Sequence, residues 1–161
     1  MNGERAHVVG LISDTHGLVR PDVHTALAGV DLIFHAGDVG GDDILDELQL
    51  IAPVHAVFGN TDPPGQPRLA VAIDMRIGDV RIHVSHGHEI GSPSPAKLLA
   101  RYDADVIVYG HTHKQLLTHA DQRWVVNPGA AGPRRFDLMP SVARMMIRGR
   151  AVEIEIISLT P

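Results

Sequence analysis

Three times within its first sixty residues this chain runs a short apolar stretch into a turn and then sets down a side chain able to hold a metal. Residues 8–12 lead into Ser13-Asp14-Thr15-His16-Gly17, residues 31–36 lead into Gly37-Asp38, and residues 54–58 lead into Gly59-Asn60. Continuous apolar runs of this length suit strands buried on both faces. Between them, residues 21–28 read as a helix with Pro21 in its first turn and Gly29 as its stop. Residues 44–51 read as a second, amphipathic helix, opened by Asp42-Asp43, whose charges suit its N-terminal dipole. In open α/β sheets ligands collect at the carboxyl ends of strands, where all of these polar residues fall.

The remainder reads differently. Residues 69–77 and 80–85 predict a hairpin across Gly78-Asp79 that ends at His86-Gly87-His88. Ser94 and Pro95 cap a helix to about Tyr102. A buried strand over residues 105–109 ends in Gly110-His111-Thr112-His113, where the two histidines are expected to alternate along an extended segment with Thr112 facing elsewhere. A further hairpin, 115–119 with 123–126, closes on Asn127-Pro128-Gly129. Strands 142–147 and 152–157 flank Arg148-Gly149-Arg150, and in the last one Val152, Ile154 and Ile156 alternate with Glu153 and Glu155, the pattern of a half-buried strand. Helix-linked strands followed by hairpins predict an α/β (α+β) fold of mixed sheets with helices outside. No repeat, linker or low-complexity tract divides the 161 residues, so a single domain is expected.

Composition narrows the chemistry. The chain has no cysteine, which excludes disulfides, thiolate metal sites and cysteine nucleophiles and fits a reducing cytoplasm. Met1-Asn2-Gly3-Glu4-Arg5 shows no signal-peptide pattern, and no apolar run reaches membrane-spanning length, so a cytoplasmic location without membrane contact is expected. A formal charge of −5 weighs against a general nucleic-acid coat protein. Eleven histidines stand out, because imidazole is both the commonest metal ligand and a frequent acid–base group.

Asp38 is the residue on which the pattern centres. One carboxylate has two oxygens and can bridge two metal ions roughly 3.5–4 Å apart. Asp14 and His16, two residues apart at a strand end, can point at one centre. Taken in order, Asp14/His16, Gly37-Asp38, Gly59-Asn60, His86 and Gly110-His111-Thr112-His113 resemble the calcineurin-like metallophosphoesterases. The resemblance is specifically to the small single-domain phosphodiesterases of the YfcE/MJ0936 group, and it runs from about residue 8 to residue 130.

That resemblance implies two mixed β-sheets sandwiched between helices in four layers. It implies that Asp14, His16, Asp38 and His113 hold one divalent ion, and that Asp38, Asn60, His86 and His111 hold the other, with Asp38 shared. Two divalent ions against two anionic ligands leave about +2 before water or substrate binds. Ligands of nitrogen and oxygen without sulfur suit Mn, Fe, Co, Ni or Zn, and the resemblance favours Mn. The implied reaction is hydrolysis of small-molecule or nucleotide phosphodiesters by a hydroxide bridging the two ions, with Asp38, Asn60 and His88 as catalytic residues. His35 is expected as a packed histidine behind Asp38. His7, His24, His55, His83 and His119 match nothing and read as surface or core residues. Asn127-Pro128-Gly129 matches a family loop near the metals, and Arg134-Arg135 reads as a solvated basic pair.

Thr61 occupies the position where many monoesterases of the wider superfamily carry a histidine that assists the leaving group. A hydroxyl is too weak an acid for that, so activated or aryl diesters are expected to be preferred over alkyl monoesters. Three alternatives stand beside this reading. One is an interaction module like the retromer subunit Vps29, which has this fold with a degraded metal site. The others are a phosphomonoesterase and a nuclease, the latter disfavoured by the lack of a basic stripe. The expected partner is a small phosphodiester substrate, and small relatives often form homo-oligomers. Specificity is expected to reside in loops 61–67 and 130–137.

Overall fold

The structure is a computed structural model that describes residues 5–135 and 137–161. Expectations that touch residues 1–4 and Phe136, a member of the 130–137 loop, fall outside the described residues. The chain forms β1 (His7–Ile12), α1 (Pro21–Ala26), β2 (Leu32–His35), α2 (Asp42–Gln49), β3 (Val54–Val57), β4 (Leu69–Ala70), β5 (Ile73–Ile77) and β6 (Val80–Val84). It continues through a 3₁₀ turn (His88–Ile90), α3 (Pro95–Arg101), β7 (Val106–Val108), β8 (Leu116–Ala120), β9 (Arg123–Asn127), β10 (Ser141–Arg148) and β11 (Ala151–Ser158). Ser94 caps α3, its Oγ accepting from the Lys97 N–H at 3.3 Å. Among the described residues no helix is long and apolar enough to cross a membrane.

The strands make two mixed sheets, in the orders β11-β10-β1-β2-β3-β4 and β5-β6-β7-β9-β8. Strand alternation sorts side chains into layers. Val9 and Leu11 of β1, Phe34 of β2, Val57 of β3 and Met145 of β10 face the second sheet, meeting Ile82, Val84, Val106, Val108 and Val126 in one core. Ile12, Ile33 and Ala56 face the other way, against Val23 of α1, Leu27 just beyond its end, and Leu45 and Leu48 of α2. On the far side Ile107 and Val125 pack under Leu98 of α3. The result is helix, sheet, sheet, helix: the four layers expected from the sequence.

The expected hairpin over residues 69–77 and 80–85 is corrected. Leu69–Ala70 is a separate strand, parallel to β3 with Ala56 opposite Leu69, and so belongs to the first sheet. The chain leaves that sheet at Val71, which is 78% exposed, and only Ile73–Ile77 pairs with β6. Leu-Ala-Val-Ala-Ile is apolar throughout, so nothing in its pattern marks the change of sheet. Helix α1 is also shorter than expected, stopping at Ala26 ahead of Gly29, whose φ is +80°.

Candidate metal centre

The parallel strands β1, β2 and β3 of one sheet and β6 and β7 of the other end on the same side of the molecule, and their loops are zipped together there. Asp14, His16 and Gly17 donate their backbone N–H groups to the carbonyls of Gly37, Asp38 and Val39, each at 3.0 Å. The N–H of Gly110 reaches the His86 carbonyl at 2.9 Å, and that of Gly132 reaches the Asp14 carbonyl at 3.3 Å. Two glycines are needed for this approach. A Cβ on Gly59 would sit 2.1 Å from Asp38 Oδ1, and one on Gly110 would sit 2.1 Å from Ser13 Oγ.

The loops bring all seven residues proposed from the sequence to one place. Asp14 Oδ1 lies 3.4 Å from His113 Nε2, 3.7 Å from His16 Nε2 and 3.9 Å from His86 Nε2. Asp38 Oδ2 stands between the groups, 3.7 Å from His16 Nε2 and 3.3 Å from His86 Nε2. Asn60 Oδ1 is 3.0 Å from His86 Nε2 and 3.2 Å from His111 Nδ1. Asp14, His16 and His113 form one group with ligand atoms within 4.8 Å of one another, and Asp14, Asp38 and His86 form another.

Five of these residues, Asp14, His16, Asp38, His111 and His113, have left-handed backbone, with φ between +46° and +72°. That region is unfavourable for residues with a Cβ, and such residues gather at functional sites. It also corrects the expectation for residues 110–113, which are not extended. His111 and His113 still face apart, His111 toward Asn60 and His113 toward Asp14 and His16, because two left-handed residues flank Thr112. Thr112 Oγ1 accepts from Asn127 Nδ2 at 3.0 Å, and the same amide donates to the Gly110 carbonyl at 3.1 Å. The Asn127-Pro128-Gly129 loop thus braces the two histidines.

The donors fit a cation. Asp14 Oδ1 is buried and has no hydrogen-bond partner, although three imidazole nitrogens surround it. His16 Nε2 and His113 Nε2 face each other at 3.4 Å, and two N–H groups aimed at one another would repel. A shared ion resolves both features. His86 is set for such a role, since its Nδ1 donates to the Ala36 carbonyl at 2.7 Å and leaves Nε2 facing Asp38 and Asn60.

Electrostatics point the same way. Burial works against the charge of Asp14, but the nearby imidazoles of His113, His16 and His86 and the Ser13 hydroxyl hold its carboxyl well below the usual range. Burial likewise opposes ionisation of Asp38, yet the bond to His86 and the Thr61 N–H at 2.9 Å bring it down to about 2. His86 is raised despite burial by Asp38 and Asp14, while burial and the neighbouring His86 lower His111. Both carboxylates are therefore ionised and ready to ligate.

Other expected residues fall as follows. His88 starts the 3₁₀ turn, with its ring edge-on to Phe58 at 5.3 Å and 5.3 Å from the His86 ring, and touches neither Asp38 nor Asn60. His35 is fully buried behind the site, Nδ1 accepting from the Gly37 N–H at 3.1 Å and Nε2 lying 2.9 Å from Thr15 Oγ1. Arg134 and Arg135 are exposed. His24 meets Glu47, His83 meets Asp74, and His119 stacks on Trp124 at 4.1 Å, all away from the ligands.

Asp62 is a residue the sequence reading missed. Its carboxylate is buried and accepts the N–H groups of Val39, Gly40 and Gly59 at 3.0, 3.2 and 2.8 Å. It fastens the loops that carry Asp38 and Asn60 to each other. A carboxylate inside Thr61-Asp62-Pro63 reads as an ordinary turn residue, and only the fold shows three amides pointing at it. Ser13 was passed over for the same reason, and its Oγ donates to Asp14 Oδ2 at 2.6 Å.

Comparison with known proteins agrees with the fold. Residues 8–150 match the calcineurin-like phosphoesterase superfamily domain, and the chain belongs to that superfamily. It is 34% identical over 159 residues to a probable metallophosphoesterase of Methanothermobacter thermautotrophicus, covering 93% of this chain and 91% of that one. It is 27% identical over 139 residues to phosphodiesterase MJ0936 of Methanocaldococcus jannaschii, covering 75% and 82%. Among solved structures, Vps29 of Entamoeba histolytica complexed with Zn²⁺ superposes with a TM-score of 0.77 at 24% identity, covering 94% of this chain and 98% of that one.

Proposed function

We propose that this protein is a metal-dependent phosphodiesterase that hydrolyses small-molecule or nucleotide phosphodiesters at a centre of two divalent ions, with Mn favoured. The observation that carries the reading is the convergence of carboxylate, amide and imidazole donors from both sheets on Asp38, beside a buried Asp14 oxygen with no partner. Asp14, His16, Asp38 and His113 would hold one ion, and Asp38, Asn60, His86 and His111 the other. Bound there, such ions supply Lewis acidity, which makes a water nucleophilic near neutral pH and neutralises charge on the phosphoryl oxygens.

The chain's own residues set the rest. The Thr61 N–H fixes one oxygen of Asp38, leaving Oδ2 toward the histidines. The Thr61 side chain has no group that can protonate a departing alkoxide, so leaving groups depart with their own acidity. His88, whose ring lies 5.3 Å from that of His86 and 6.4 Å from that of His111, is the side chain beside the proposed ligands that would contact substrate. The fold likeness to Vps29 supports the interaction-module reading less well, because here the donor set is complete.

Metal-loaded protein should cleave bis(4-nitrophenyl) phosphate faster than 4-nitrophenyl phosphate at matched pH, and rates should fall steeply as leaving-group pKa rises. Thr61→His should raise monoesterase activity by up to roughly 10²-fold, within the usual range for a general acid. Asp38→Ala should abolish both activities while circular dichroism stays native. A native preference for the monoester, or a fully active Asp38→Ala variant, would refute the assignment.

A further inference from the structure

The loop that carries His111 and His113 continues into Lys114, and the chain beyond Gly132 returns alongside it. One groove is lined by His111, Thr112, His113, Lys114, Arg135 and Leu138. A second limb runs from His113 and Lys114 past Gln115 to Asp137 and Met139. Among the described residues, the limb beside His111 and His113 is lined by two cations and no acid, and the carboxylate that lines the groove, Asp137, lies on the far limb.

These two cations differ from most others in the molecule. Arg5, Arg68 and Arg81 pair with Asp31, Asp46 and Asp103, while Arg20, Arg123 and Arg144 donate to backbone carbonyls. The side chains of Lys114 and Arg135 are exposed and have no such partner among the described residues. The chain carries a net charge of −5, yet among the described residues no acid forms an ion pair with Lys114 or Arg135.

We propose that this groove is an anion subsite that seats a second phosphoryl group, so that the preferred substrates are phosphodiesters bearing a further phosphate monoester. The inference rests on the phosphodiesterase reading above. A scissile diester carries a single negative charge, which the metal centre takes. A phosphate monoester carries about −1.5 to −2 near neutral pH and three acceptor oxygens. Lys114, next to the ligand His113, offers a mobile point charge, and Arg135 offers a planar fork that can take two phosphate oxygens.

Two chromogenic esters differ by that one group: thymidine 5′-(4-nitrophenyl phosphate) and its 3′-phosphorylated counterpart. An exposed charge pair is typically worth roughly 1.5–5-fold, so two cations should favour the 3′-phosphorylated ester by roughly 2–25-fold in kcat/KM. The preference should lie in KM, fade as salt rises, and fall to about 1 in Lys114→Ala/Arg135→Ala. Calorimetric titration gives a second readout: thymidine 3′,5′-bisphosphate should bind tighter than the 5′-monophosphate to wild type by a similar factor, and equally to the double variant. Equal preference in wild type and double variant, or a bisphosphate that binds no tighter than the monophosphate, overturns the subsite. Failure of wild type to cleave either ester overturns the phosphodiesterase reading instead, and the titration still decides the subsite.

Discussion

His35 occupies no place in the donor set, yet it sets a pH limit on the site. Its Nδ1 accepts the Gly37 N–H, so a proton placed on that nitrogen would face a hydrogen already there. Burial is the first cause that pushes its pKa down from 6.5 to about 4, with the charges of Asp14 and Asp62 partly opposing. Between those values the unfolded chain binds a proton that the folded chain refuses. Stability therefore rises with pH across this window and is lost as pH falls from 6.5 through about 4, by on the order of 3 kcal/mol. Urea unfolding of metal-free protein at pH 7, 6, 5 and 4 should show that loss. A His35→Gln variant should lack this part of it, so the gap between wild type and variant narrows as pH falls. Parallel slopes in the two proteins would assign the loss to other groups.

At the level of elements, Asp62 ties the loop that follows β2 to the loop that follows β3. Removing its carboxylate as Asp62→Ala leaves the Val39, Gly40 and Gly59 N–H groups without their acceptor. Of these, the Val39 and Gly59 donors are buried, and abandoned buried donors cost roughly 1–3 kcal/mol each, so a loss of roughly 2–6 kcal/mol in urea unfolding is expected, together with weaker metal retention measured by competition with a chelator. An Asp62→Ala protein of native stability would show that the loops hold without it. This residue also marks where the sequence stops being legible. Apolar runs ending in Gly-Asp, Gly-Asn and Gly-His show strands and ligands together, because a ligand must follow its strand within a few residues. The partners of Asp62 are more than twenty residues away for two of its three bonds, and no local pattern records them. The passage of residues 69–77 from one sheet to the other is hidden likewise, since strand periodicity reports a face and not a sheet. The left-handed backbone at 111 and 113 was hidden because histidine, unlike glycine, does not advertise it.

Across the whole molecule, the proposed ligands divide between the sheets. Asp14, His16, Asp38 and Asn60 follow strands of the first, and His86, His111 and His113 follow strands of the second. Ions bound among them would tie the two sheets together at one end. Metal held at roughly 1,000 times its dissociation constant stabilises by about 4 kcal/mol. In a chain of this size that corresponds to roughly 8–16 °C in Tm. Chelation should lower the calorimetric midpoint by that amount and re-addition of Mn²⁺ should restore it; an unchanged midpoint would mean that metal does not bind between the sheets. The left-handed ligands give this arrangement a bearing on descent. Each of the five holds a backbone geometry that glycine would adopt more readily, by on the order of 1 kcal/mol. A lineage that no longer needed phosphate-ester chemistry would thus find many of the substitutions that erase the centre tolerated or welcome. The two-sheet body would then be free to drift toward a sturdier molecule with nothing to catalyse.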